Sequence, residues 1–147
     1  MPLRNTHLLL AAAFLAISGT CVSAQIPGPF TQAQVTAGHK NFIGYCSSCH
    51  GEDLTGGGDA PPLTGPMFRE NWSKYSLSQL YALVSNAMPQ GLEGDLKPDE
   101  YSSIIAYLLA ANGAKPGPAP FRGRSDVKIG AIANGRTVPS VVNAPVQ

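Results

Sequence analysis

The stretch YCSSCHG, Tyr45 to Gly51, sets two cysteines and a histidine within five positions of a 147-residue chain whose one other cysteine is Cys21. Around it, 44% hydrophobic and 13% charged residues describe one small globular domain with appendages, too short for two large domains. The first appendage is the N-terminus. Arg4 precedes the apolar run LLLAAAFLAI, Leu8 to Ile17, and the small-residue sequence VSAQ follows. This pattern reads as a secretory signal over residues 1–24, cut after Ala24. As a helix the run would rise about 15 Å, half a bilayer core, so no stable membrane anchor is expected. Cys21 falls within the removed segment; Thr20 and Ser18 are poor neighbours for the alternative in which Cys21 becomes a lipidated first residue. The exported chain then carries Cys46 and Cys49 alone, in an oxidising compartment.

The second appendage is residues 114–147. Its proline and glycine density and lack of sustained periodicity argue against a packed helix or sheet and predict an extended tail, either a solvated end or a partner-binding segment. Residues 25–112 hold four basic and eight acidic residues, net −4, whereas 113–147 hold five basic and one acidic, net +4. An acidic body with a basic tail can steer a partner. Nucleic acid is not expected, because no aromatic platforms are interleaved with the basic residues.

The body, residues 25–113, carries three helix signals. Thr31 and Gln34 have capping-box spacing with Phe30 and Val35 placed as a hydrophobic staple, and Ser76 with Gln79, and Tyr75 with Leu80, repeat the arrangement. A third helix starts at Pro98, with Asp99 and Glu100 at its positive end, and stops at Asn112-Gly113; Tyr101, Ile104, Ile105, Leu108 and Ala111 recur at helical spacing. No alternating strand appears, so the fold class is all-α. Three short helices make a thin core, and GEDLTGGGDAPPLTG, Gly51 to Gly65, is irregular backbone that needs an organiser.

Three readings compete for Cys46, Cys49 and His50. A thioredoxin-type redox pair wants a preceding strand in a βαβ setting, which is not visible. A zinc site wants a fourth ligand, and His39 is the one remaining histidine of the exported chain. Covalent haem attachment uses all three side chains: C-x-x-C-H lets both thiols form thioethers while the histidine ligates iron. A buried porphyrin also supplies the missing apolar core. On this reading the candidates for the opposite axial position are Met88, Met67 and His39. Met88 is favoured because it follows a helix signal and Pro89 holds the backbone extended. Met67 reads as a core residue beside Phe68, and His39, two turns before Cys46, as a surface residue.

The sequence resembles the class I c-type cytochromes over residues 30–113. Gly38 and Phe42 stand at four-residue intervals ahead of Cys46; Pro61, Leu63 and Gly65 match a proline-x-leucine-x-glycine loop; MPQG and IIAYL, with Ile104 and Tyr107, match the later part. The resemblance implies the cytochrome c fold, one haem c held through Cys46 and Cys49, His50 and Met88 as iron ligands, and a Pro61 carbonyl that orients His50. Within the class, PPLTGPMFRENW, LYALVSNAMPQG and EYSSIIAYLLAANG are similar to the cytochrome modules that accompany periplasmic quinoprotein dehydrogenases, which places Trp72 near a haem propionate; a plain core role for Trp72 is the alternative. The implied function is periplasmic single-electron transfer from a dehydrogenase to an oxidase or another cytochrome, not enzymatic catalysis. The alternatives are a haem enzyme or ligand sensor with an open iron position, and a haem-bearing docking subunit of a larger dehydrogenase.

Overall fold

The computed structural model describes residues 25–58 and 60–146, so the expected signal, residues 1–24, lies outside the described residues. These residues form seven helices: α1 (Gln32–Tyr45), α2 (Ser47–His50), α3 (Gly65–Trp72), α4 (Leu77–Ala87), α5 (Pro98–Ala111), α6 (Ile129–Ile132) and α7 (Pro139–Val142). Among them there is no sheet, only the isolated bridges Pro27 with Lys115, Gly57 with Ala60 and Ser76 with Lys128. The fold is all-helical, as the sequence predicts.

Both capping boxes form. Gln34 N–H donates to Thr31 Oγ1 at 3.2 Å while Thr31 N–H donates to Gln34 Oε1, and Ser76 and Gln79 repeat the exchange. Phe30 and Val35 are both buried, in keeping with a staple at α1. At α4 the expected staple gives way: Leu80 is buried, but Tyr75 is half-exposed with its ring 5.6 Å from Trp72. Helix α3 is not among the predicted elements. It is eight residues long, with Pro66 in its first turn, and only Phe68 is buried, so a helical period is hard to read from it.

Helix α5 is the axis of the domain. Pro98 opens it, Asp99 and Glu100 lie at its positive end, and every residue from Tyr101 to Ala111 is buried. A five-residue apolar stripe predicts one buried face; instead the helix is enclosed on all sides, its serines and alanines included. Helix α1 crosses it at Gly38, where a Cβ would fall 1.8 Å from the Ser103 carbonyl oxygen and 2.9 Å from Tyr107 Cβ. Only glycine permits that approach. Phe42, four residues on, packs its ring 5.4 Å from Tyr107.

Residues 114–146 are extended apart from the single turns α6 and α7, but they are not a free tail. Phe121, Ile129, Ile132, Ala133 and Val142 are all buried in the common core. Gln34 ties the segment down, donating from Nε2 to the Phe121 carbonyl at 2.8 Å and accepting from Phe121 N–H at 2.9 Å. The sequence reading missed this strap because its apolar residues are spaced for an irregular course and show no helical or strand period.

Candidate functional site

Cys46 ends α1, its N–H donating to the Phe42 carbonyl at 2.8 Å, and also caps α2. One further turn brings Cys49 and His50, whose N–H groups donate to the Cys46 carbonyl at 3.3 and 3.0 Å. Both thiols are free: Cys46 is half-buried and Cys49 exposed. Burial, and then the neighbouring Cys49 thiol, push the Cys46 thiol up to about 11. Helix α1 rather than a strand precedes the pair, so the thioredoxin-type reading loses its basis. Among the described residues no group of three His, Cys, Asp or Glu side chains is placed to hold a metal ion.

The loop after His50 folds back to orient it. Gly56 N–H donates to the His50 carbonyl at 2.8 Å, and Leu63 N–H donates to the Leu54 carbonyl at 2.9 Å. Leu54 is fully buried and holds a φ of 64°, a conformation that L side chains rarely adopt. The turn delivers the Pro61 carbonyl to 3.0 Å from His50 Nδ1. A carbonyl oxygen can only accept, so Nδ1 is the donor, and in the neutral ring this tautomer places the lone pair on Nε2. A neutral imidazole oriented through Nδ1 is the form that ligates a metal through Nε2. Two unpaired thiols one turn apart and this imidazole form a donor set that fits haem c.

Cys46, Cys49, His50 and Pro61 are thus one contiguous group, and half-buried Leu63 joins it through Leu54. Met88 and Trp72 sit on other elements, and among the described residues no hydrogen bond joins either to this group. Trp72 ends α3, half-buried beside Tyr75. Met88 caps α4 in extended conformation, its N–H donating to Val84 and its carbonyl accepting from Tyr101 Oη at 3.0 Å. Tyr101 Oη also accepts from Gly94 N–H at 3.0 Å, so one buried tyrosine braces the whole Met88–Gly94 loop. A cleft of about 410 Å³ lined by Ala33, Ala37, Asn41, Phe121 and Arg122 shares no residue with any of these groups.

Two expectations about the other candidate ligands are corrected. Met67 is not a core residue: it is 48% exposed, while Phe68, about 100° further round α3, takes the buried position. His39 is not on the surface: it is 7% exposed and stacks on Tyr107 at 4.9 Å. Val35, Gly38, His39 and Phe42 form one stripe of α1 against α5, a spacing of three and four residues that is legible in the sequence. Burial lowers the His39 pKa, and nearby Glu52 partly offsets that.

Asn112 is a supporting residue that the sequence reading treats only as a helix end. It is 0% exposed. Its Nδ2 donates at 2.8 Å to the carbonyls of Leu63 and Leu108, its Oδ1 accepts from Gly65 N–H at 3.2 Å, and its own carbonyl accepts from Gly135 N–H. It therefore links α5, the Pro61–Gly65 loop and the strap. Asn112→Leu keeps the volume but takes the side-chain partner from the Leu63 carbonyl and the Gly65 N–H, and should lower the stability of the haem-loaded protein in urea by about 2–4 kcal/mol. A loss under about 0.5 kcal/mol would show that the link is dispensable.

Comparison with known proteins agrees with this geometry. Residues 33–108 match the family described as "Cytochrome C oxidase, cbb3-type, subunit III". Over 90 residues, 58% of the chain, the sequence is 33% identical to the quinohemoprotein alcohol dehydrogenase ADH IIB of Pseudomonas putida, and the match spans 13% of that protein's length. The sulfane dehydrogenase SoxCD structure from Paracoccus pantotrophus aligns with 94% of this chain and 71% of that one, at 21% identity and a TM-score of 0.44. With a helical fold closed around Gly38 and a Cys46–Cys49–His50 turn oriented by Pro61, the chain belongs to the family described as cytochrome c oxidase, cbb3-type, subunit III, and is a class I c-type cytochrome.

Proposed function

We propose that the chain is a periplasmic monohaem cytochrome that passes single electrons from a dehydrogenase, of the quinoprotein kind, to an oxidase or another cytochrome. The observation that carries this reading is the Pro61 carbonyl on His50 Nδ1, which leaves Nε2 free beside two unpaired thiols. When bound, haem c supplies a one-electron ferric–ferrous couple. Cys46 and Cys49 would hold it by thioethers, and His50 Nε2 and the Met88 thioether would be the ligands of its iron. Tyr101, through the Met88 carbonyl, positions the methionine, and Asn112, through Leu63, steadies the loop that orients His50. A methionine ligand raises the reduction potential, as an acceptor of dehydrogenase electrons requires. With His50 and Met88 both as ligands, the iron would offer no site to oxygen or peroxide, which favours electron transfer over catalysis.

The dehydrogenase partner is supported by the match to one segment of a quinohemoprotein alcohol dehydrogenase. Periplasmic placement is supported by the leader-like N-terminus.

The direct test is the mass of the denatured protein after expression with a cytochrome c maturation system. The native chain should gain the mass of one haem. Cys46→Ala/Cys49→Ala should gain none and lose its cooperative unfolding transition, since the porphyrin is the missing part of the core. A native chain of unchanged mass, or a double variant that folds cooperatively without haem, would contradict the reading.

A further inference from the structure

The strap lies antiparallel along residues 65–78. Ser125 pairs with Ser78, Val127 with Leu77, Ile129 with Tyr75 and Gly130 with Ser73, through backbone and side-chain hydrogen bonds of 2.7 to 3.2 Å, and Lys128 faces Ser76 in an antiparallel bridge between them. Farther on, a Cβ on Gly135 would fall 2.7 Å from Arg69 Cβ, so the strap is still in register against α3. Ile129, Ile132 and Ala133 point into the core. Arg124, Lys128 and Arg136 of the strap are exposed, as are Arg69 and Lys74 of the segment beneath.

Two runs far apart in sequence thus make one basic stripe. Residues 65–78 and 124–136 together hold five basic residues and two acidic ones, Glu70 and Asp126, a net +3. The rest of residues 25–147 holds four basic residues and seven acidic, a net −3. The molecule is therefore bipolar, and its positive pole is built by the strap. Exposed like-charged groups at this density are costly unless something of opposite sign meets them, and they steer encounter over roughly a Debye length, about 8–10 Å.

We propose that this stripe is a docking surface for an acidic protein surface, and that it seats the redox partner beside the Trp72 and Tyr75 end of α3. The inference rests on the electron-carrier reading for the nature of the partner. A protein fits better than a lipid surface, because an interfacial membrane site needs an amphipathic helix with large apolar groups, and α6 is four residues long with its isoleucines buried. The apolar residues of the strap are spent on the core, which leaves its exposed basic groups to meet complementary carboxylates.

The test uses the full-length, haem-loaded protein titrated with poly-L-glutamate at low and at physiological ionic strength, and separately with phosphatidylcholine vesicles containing phosphatidylglycerol. Arg124→Gln/Lys128→Gln/Arg136→Gln should weaken poly-L-glutamate binding about tenfold at low salt, and added salt should narrow the difference. The charge-matched Lys40→Gln/Lys97→Gln/Lys115→Gln should weaken it less than about twofold, since those side chains lie off the stripe. Equal losses in the two variants would reduce the effect to net charge and overturn the proposal. Stripe-dependent binding to the vesicles without binding to poly-L-glutamate would overturn it in favour of a lipid surface. Visible spectra taken alongside separate the two layers: failure of the electron-carrier reading appears in the native spectrum, whereas failure of docking appears only in the titrations.

Discussion

Met88→Ala should convert a closed iron site into an open one. The ferric protein should lose its near-infrared sulfur-to-iron band, the reduced protein should bind carbon monoxide, and the reduction potential should fall, because a thioether stabilises the ferrous state relative to harder donors. Met67→Ala should do none of these things. The contrast follows from backbone support. Met88 is fixed in extended conformation at the end of α4, its N–H on Val84 and its carbonyl on Tyr101, whereas Met67 is a half-exposed side chain in mid-α3. Tyr101→Phe supplies an intermediate case: the thioether is retained, but the Met88 carbonyl and Gly94 N–H lose their shared partner. The band should then persist in a protein that binds carbon monoxide more readily than the native one. If Met67→Ala, and not Met88→Ala, abolishes the band, the axial assignment is reversed.

Loss of the strap's anchors should be as damaging as loss of a core helix. Phe121 is 2% exposed, meets Tyr81 edge-on at 6.0 Å, and is held at its backbone by both atoms of the Gln34 amide. Phe121→Ala should therefore cost about 3–5 kcal/mol in urea denaturation of the haem-loaded protein, the range for emptying a buried aromatic site. Removal of residues 114–147 also takes Ile129, Ile132 and Val142 from the core, each worth about 1.5–3 kcal/mol of burial. That loss rivals the whole stability of an ordinary domain, about 5–15 kcal/mol, so the truncated chain should not accumulate as a folded cytochrome. A solvated tail predicts the opposite: Phe121→Ala within about 0.5 kcal/mol of native, and an unchanged midpoint on truncation. Partner binding by the strap is for the same reason tested by charge substitutions rather than by truncation.

The parts of this fold legible in the sequence are those with local signatures. Thr31 with Gln34 and Ser76 with Gln79 mark helix starts within four residues, and Pro98 and Asn112-Gly113 bracket α5. The Cys46–Cys49–His50 turn is equally local, and its Pro61 carbonyl was reached through family resemblance rather than through spacing. What escaped the sequence depends on long-range contacts. Nothing near Asn112 shows that its amide will meet Leu63 and Gly65 almost fifty residues earlier. His39 is misplaced when its distance from Cys46 is counted in turns without its angular phase, which over seven residues returns it to the packed face. The strap hides its role because an extended segment that buries single residues at irregular intervals has no period to detect.

The most direct test of the account is the visible and near-infrared spectrum of the native protein matured in the periplasm, recorded oxidised, reduced, and reduced under carbon monoxide. Ligation by His50 and Met88 predicts a c-type spectrum with the sulfur-to-iron band in the ferric form and no change on adding carbon monoxide. A c-type spectrum without that band, shifting under carbon monoxide, would contradict a closed electron carrier and make the protein a haem enzyme or ligand sensor with an open iron.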